Sequence, residues 1–373
     1  MSSLLFSPLR VGGIELPNRI AIAPMCQYSA DDGCMNDWHL AHLSMLAGSG
    51  AGLLVVEATG VTREARISHG CVGLYNDHNE AALKRVLDAC RRISRQPIGI
   101  QLAHSGRKGS AQAPWLGGRA LGPGESPWRA EAPSAIPYGE GWHVPHELSA
   151  GEIRGLVDAF AAAAARALRL GFDLVEMHAA HGYLLHEFLS PLSNRRRDAY
   201  GADRMKFPLE VARALREAWP RDRALGARIT GSDWAEGGLA PDDAVAFAKA
   251  LKQAGFDYAC VSSAGLVPQQ RLKAEPGYNA PFAARVKKES GLVTRVGGMV
   301  VDPLHAESIL KSGSADQISI ARAFLDNPRW AWHAAERLGA KLDYPPQYAR
   351  AQPAVWPGSR IARPQEGATE AAA

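Results

Sequence analysis

The 373-residue chain has few cysteines, little excess charge and no long apolar run. Its five cysteines, Cys26, Cys34, Cys71, Cys90 and Cys260, are odd in number, widely spaced and without a CxxC. That excludes a disulfide framework, a zinc ribbon and a cysteine-ligated iron–sulfur cluster, and it suits a reducing cytosol. Basic and acidic residues, 42 against 38, leave a net charge of +4. Such a balance argues against nucleic acid or an anionic membrane as partner. No apolar run reaches the roughly 18–20 residues that span a bilayer. Residues 1–8 lack the basic start and apolar core of a signal peptide. With 46% apolar and 21% charged residues, the composition is that of a globular, cytoplasmic protein. The length allows two ordinary domains or one large α/β barrel.

What is present is a recurring strand-and-helix pattern. Short β-branched apolar runs fall at 20–25, 52–57, 98–102, 174–178, 226–230, 258–262, 293–297 and 317–321. They are nearly continuous in apolar character, as parallel strands buried on both faces are. Helical segments alternate with them. One runs over 152–170, opened by the S-x-x-E capping spacing of Ser149 and Glu152 and stopped by Gly171. Another runs from Pro241 to about 254, stopped by Gly255. Eight such units predict a (β/α)8 TIM barrel forming one domain over 1–363. A doubly wound sheet is the competitor, but no G-x-G-x-x-G follows the first strand. Residues 6–19 read as a hairpin turning at Gly12-Gly13 that plugs the barrel bottom. The Gly/Pro/Trp-rich stretch 105–145 reads as a lid over the C-terminal face, and 364–373 as a disordered tail.

Polar residues at the C-terminal ends of barrel strands are the ones to question. Arg228 and Gln101 stand in strands otherwise lined by Val, Ile and Leu, where an unpaired polar group costs kilocalories. A flat heterocycle with carbonyls and ring nitrogens, such as a flavin, is one partner; an internal salt bridge is the other. Gly297-Gly298 after the seventh strand and Arg322 after the eighth form a plausible phosphate cradle. His178 and His181, followed by Tyr183, can act in two ways. As metal ligands they need a third protein ligand, and only Glu176 stands near in sequence. As hydrogen-bond donors they can hold a substrate oxygen, with Tyr183 supplying a proton. Tyr348, Arg350 and Trp356 read as a docking segment, and Tyr344 as packing.

Taken together, these stretches resemble the Old Yellow Enzyme family of FMN-dependent ene-reductases. The match is to its bacterial subclass of xenobiotic-reductase and thermophilic-like NADPH dehydrogenases, over about 4–352. It rests on Asn18-Arg19-Ile20, Ala23-Pro24-Met25-Cys26-Gln27-Tyr28, Val56-Glu57-Ala58-Thr59 and Gln101-Leu102-Ala103-His104-Ser105-Gly106-Arg107-Lys108. Further anchors are Ala132-Pro133-Ser134-Ala135, His178-Ala179-Ala180-His181-Gly182-Tyr183-Leu184, Phe188-Leu189-Ser190-Pro191 and Asp326-Asn327-Pro328-Arg329. The resemblance implies that Ala23, Pro24, Met25 and Cys26 lie against the flavin, with Cys26 tuning its potential. It implies Ala58 on the ring system, Gln101 at the pyrimidine edge and Arg228 near N1. Gly298, Ala321 and Arg322 match the phosphate site. His178 and His181 would bind the substrate's activating oxygen, Tyr28 would line the pocket, and Tyr183 would donate the proton. Arg350 matches an arginine that enters the neighbouring subunit's site, which implies a homodimer or a tetramer of dimers.

The activity implied is ping-pong reduction of α,β-unsaturated aldehydes, ketones, imides or nitroalkenes, with NADPH or NADH as hydride donor and no metal. Gly201-Ala202-Asp203-Arg204 is a few residues shorter than the family pattern, and Val296-Gly297-Gly298, Ala321, Ser105 and Gly60 also depart from it. Two other readings stand beside this one. A metal-dependent barrel hydrolase or aldolase would use His178 and His181 as ligands. A flavin-binding barrel without turnover would serve as a redox sensor.

Overall fold

A computed structural model describes residues 3–363. The expected tail at 364–373 lies outside the described residues. The chain opens with a hairpin, β1 (Leu9–Val11) and β2 (Ile14–Leu16), paired antiparallel around Gly12-Gly13. A side chain at position 13 would sit 2.1 Å from the Asp222 carbonyl, so the turn needs glycine to approach that loop. Strands β3 (Ile20–Ile22), β4 (Leu53–Gly60) and β5 (Ile98–Ala103) follow. Two short strands, β6 (Glu131–Ala132) and β7 (His146–Glu147), pair in parallel. The remaining strands are β8 (Leu174–Ala179), β9 (Ala224–Thr230), β10 (Tyr258–Ser262), β11 (Val293–Val296) and β12 (Gln317–Ile320). β3, β4, β5, β8, β9, β10, β11 and β12 close into a parallel eight-stranded barrel in chain order. That is the (β/α)8 architecture expected from the pattern.

Alternate residues point to opposite faces. Ile22, Leu54, Ile100, Val175, Met177 and Ile229 pack outward against helix residues such as Leu43, Leu83, Phe160 and Val211. Ala21, Leu53, Val55, Leu174, Ala224, Tyr258 and Cys260 point inward and meet Val11 and Leu16 of the hairpin, which closes the barrel bottom. The helix after β7 spans Ala150–Leu170, two residues earlier than expected; Ser149 and Glu152 cap it reciprocally and Gly171 ends it at φ +81°. The second predicted helix spans Pro241–Gln253, starting at its proline.

One expectation needs correction. The barrel interior is not lined by Val, Ile and Leu apart from Gln101 and Arg228. Glu176, Arg295 and Gln317 are also inward and buried. Their strands read as apolar because every second residue faces the helices, and that half hides the polar parity.

The stretch 105–145 is stapled to the loops at the C-terminal end of the barrel. Arg107 donates to the Leu266 carbonyl at 2.8 Å, and the Trp128 indole to the Glu64 carbonyl at 3.1 Å. Near the C-terminus, Tyr344 stacks on Trp332 with ring centres 4.0 Å apart, and the Arg329 guanidinium lies over both Trp332 and Tyr348. No helix among the described residues is long and apolar enough to cross a membrane.

Candidate active site

β8 and the turn after it build the centre. His178 is inward on the strand, pairing in register with Arg228 of β9. His181 and Gly182 then take left-handed conformations, φ +60° and +71°, before Tyr183 caps the helix Leu184–Leu189. This sharp turn folds three rings together. His178 lies 5.3 Å from His181 and 5.0 Å from Tyr183, edge-on to each.

The turn is held from two sides. The Gly182 N–H donates to His186 Nδ1 at 2.8 Å, and His186 Nε2 donates to Asp233 Oδ1 at 2.7 Å. Asp233 Oδ2 accepts from the Ser190 hydroxyl and the Leu239 N–H, both at 2.7 Å. Burial alone would push Asp233 up, but His186 and these donors bring its pKa below the usual value. From the other side, Lys108 Nζ donates to the carbonyls of His181 (2.9 Å) and Gly265 (3.1 Å) and lies 4.9 Å from the Tyr183 ring centre. Burial lowers Lys108 to about 8. A Cβ on Gly182 would stand 2.2 Å from the Gly265 carbonyl, so this position excludes any side chain.

Burial sets the protonation states. It holds His178 and His181 well below the ordinary imidazole value, and the Arg228 charge lowers both further. Both are therefore neutral at pH 7. Burial pushes the Tyr183 phenol well up, keeping its proton in place. His181 Nε2 meets the Ser262 hydroxyl at 2.6 Å, while His178 Nδ1 has no partner among the described residues.

The other expected residues surround this centre or lie apart from it. A bulge at Glu57 shifts the register so that Ala58 pairs with Gln101. Ala58 lines a small cavity with Cys71, Ala103 and Tyr183. Ala23 continues β3, its N–H bonded to the Ile320 carbonyl at 2.9 Å. Pro24, Met25 and Cys26 follow, half-buried. A hydrogen bond with Cys71, then burial, raises the Cys26 thiol. Tyr28, at φ +50°, lies edge-on to Trp115, ring centres 5.9 Å apart. Gln101 gives its amide N–H to Glu176 at 2.7 Å, so this end of the side chain serves an internal network. Gly298 has φ +119°, and a Cβ there would stand 2.9 Å from the Asn279 amide. Ala321 and Arg322 open the short helix Arg322–Asp326. Arg350 is exposed in the turn Pro346–Ala351. The shortened stretch at Gly201–Arg204 contributes Ala202, Asp203 and Arg204 to a cleft with Met205, Leu239 and Phe247.

Sequence reasoning missed Lys108, His186 and Asp233 as supports of the turn. Lys108 stood in a quoted motif, and His186 lies five residues after His181; nothing local marks Asp233. Among the described residues no third His, Cys, Asp or Glu joins His178 and His181 in a ligating group. The metal-dependent reading therefore lacks a donor set.

The sequence profile of the NADH:flavin oxidoreductase / NADH oxidase family matches residues 4–341. The chain belongs to that family. It is 41% identical over 355 residues to an NADPH dehydrogenase of Geobacillus thermodenitrificans (strain NG80-2), covering 94% of this chain and 99% of the relative. An NADPH dehydrogenase of Listeria innocua serovar 6a is 42% identical over 354 residues, with the same coverage. Among solved structures, morphinone reductase superposes with a TM-score of 0.75 at 28% identity, covering 93% of each chain. A structure of morphinone reductase in complex with tetrahydroNAD gives 0.72 at 28% identity, covering 92% of this chain and 93% of that one. The family member described here is thus an Old Yellow Enzyme-type oxidoreductase, with FMN as cofactor and a nicotinamide as hydride donor.

The residues present fit FMN. Arg228 Nε, His178 Nδ1 and Ser319 Oγ are all buried and without a protein partner among the described residues. They belong to inward positions of β8, β9 and β12. A polar ligand with carbonyls and ring nitrogens satisfies such groups, whereas an apolar one leaves each costing about 1–3 kcal/mol.

Proposed function

We propose that this enzyme is an ene-reductase that reduces the activated C=C bond of α,β-unsaturated carbonyl or nitro compounds. The observation that carries the reading is the cluster of two neutral imidazoles and one protonated phenol on a turn held rigid from both sides. In this reading Ala23, Pro24, Met25, Cys26, Ala58, Gln101 and Arg228 hold the ring of FMN, and Gly298, Ala321 and Arg322 hold its phosphate. Bound FMN would supply the redox chemistry, hydride transfer between a nicotinamide and the substrate.

The chain's own residues do the rest. His178 and His181, neutral because burial disfavours their charged forms, offer N–H donors to the carbonyl or nitro oxygen. Charge grows on that oxygen as the β-carbon is reduced, so these bonds strengthen in the transition state and raise rate more than binding. Tyr183 keeps its proton until the α-carbon becomes basic enough to take it. The resulting phenolate regains a proton from solvent. Lys108 fixes the His181 carbonyl and places a cation beside the Tyr183 ring, which eases that transient negative charge. Tyr28 lines the pocket, and Arg350 completes the site of a neighbouring subunit in a dimer or a tetramer of dimers.

The test is the visible spectrum of purified protein followed anaerobically through NADPH and then 2-cyclohexenone. The expected result is a yellow protein that bleaches with NADPH and regains colour with the enone. Protein that stays colourless after incubation with FMN overturns the whole reading. A protein that bleaches but does not recover with any enone or nitroalkene leaves the redox-sensor alternative in its place.

A further inference from the structure

A charged layer lies inside the barrel that the proposed chemistry does not use. Glu176 on β8 and Arg295 on β11 face each other in the interior, 0% and 1% exposed, with Arg295 Nη1 2.9 Å from Glu176 Oε2. The Tyr258 hydroxyl donates to the same oxygen at 2.9 Å. Gln101 Nε2 donates to the other carboxylate oxygen at 2.7 Å. Arg295 Nε donates to Gln317 Oε1 at 2.7 Å, and its guanidinium lies 4.4 Å from the Tyr258 ring centre. A buried ion pair adds little net stability, because desolvating both ions offsets most of their attraction, and a well-packed apolar pair often does as well. Stability is therefore a weak reason for placing a Glu–Arg pair in the middle of a barrel.

The chemistry of the contact suggests a different role. A carboxylate only accepts hydrogen bonds, so Glu176 can meet only the NH2 end of Gln101. The Gln101 amide is thereby oriented, with Oε1 turned away from Glu176. Gln101 pairs in register with Ala58 on one side and Glu176 on the other. Glu176 stands one strand period before His178, which pairs with Arg228. Glu176 thus stands beside Gln101 and one strand period below His178, next to the residues read as holding the flavin ring.

We infer that Glu176 and Arg295 are a positioning pair for the cofactor: they fix Gln101 so that its carbonyl oxygen reads an N–H of FMN, and their opposed charges set the flavin potential. This rests on the reading that places FMN over Gln101 and Arg228. An acceptor on the protein selects the one N–H on the pyrimidine ring of oxidised flavin. A negative charge beneath the ring favours the oxidised cofactor, and a positive one the reduced cofactor.

Two variants of the FMN-loaded enzyme test this, read by midpoint potential and by titration of apoprotein with FMN. Glu176→Gln leaves the Arg295 cation unopposed, since a guanidinium does not deprotonate. The reduced-to-oxidised ratio at fixed potential is expected to rise at least tenfold, a shift of about 30 mV for a two-electron couple. Glu176→Met/Arg295→Met buries no lone charge and keeps the assay available should the single variant not fold. With no acceptor left to orient Gln101, FMN is expected to bind at least fivefold more weakly. A ratio within threefold of the wild type in Glu176→Gln overturns the inference, as does FMN affinity within twofold in the double variant. Wild-type protein that binds no FMN is a different failure, that of the cofactor reading itself.

Discussion

Asp233→Asn isolates the clamp on the turn that carries His181 and Gly182. The carboxylate accepts three hydrogen bonds, each 2.7 Å long, from His186 Nε2, Ser190 Oγ and the Leu239 N–H. An asparagine has one acceptor oxygen and one donor NH2 in the same space. If its NH2 faces His186, the imidazole must move its proton to Nδ1, which then points at the Gly182 N–H, donor against donor. If its NH2 faces the other side, it meets the Leu239 N–H instead. Either arrangement leaves a buried donor unsatisfied, at about 1–3 kcal/mol, and weakens bonds that a charge had strengthened. The expected loss is about 2–4 kcal/mol. It should fall on the turn, whose left-handed His181 and Gly182 then lose the clamp on the His186 side and keep the one from Lys108. The assay pairs urea unfolding with phenol binding, read by the charge-transfer absorbance of the oxidised enzyme. Phenol affinity should fall at least tenfold while FMN affinity stays within twofold. Unchanged phenol binding alongside the lost stability would refute the clamp, leaving Asp233 as an ordinary core group.

Tyr183→Phe removes one hydroxyl with little change of packing volume and should slow flavin reoxidation by an enone about 10²–10⁴-fold, the usual span for a general acid, with reduction by NADPH within twofold; equal losses in both half-reactions remove the proton-donor role. Arg350→Ala should raise the KM for 2-cyclohexenone about tenfold, the loss of one charged hydrogen bond, with full FMN content; an unchanged KM takes Arg350 out of the site. His178 and His181 are held well below their unfolded pKa, so below about pH 6.5 the unfolded chain binds protons that the folded one refuses. The contribution of these neutral imidazoles is present above that pH and lost as it falls. The Tm should drop from pH 7 to pH 5, less steeply in His178→Asn/His181→Asn; equal slopes in variant and wild type would show that other groups govern acid unfolding.

The eight strands, the hairpin, the capped helix after Ser149 and the His178-x-x-His181-x-Tyr183 centre were all legible in the amino-acid order. Each is written in local terms: a period, a cap, a turn residue, or side chains a few positions apart on one strand end. The polar layer and the clamp were not. Gln101 and Arg295 lie 75 and 119 positions from Glu176, and Asp233 lies 47 from His186. Closing the barrel brings β8 opposite β11 and decides which alternate residue of each strand turns inward. Burial, too, exists only in the folded chain. It makes both histidines neutral and keeps the tyrosine protonated, because charge is costly where water is excluded. The sequence by itself supplied the chemical groups and the fold that carries them. The tertiary structure alone decided which groups meet in a dry interior, and so which state each one holds.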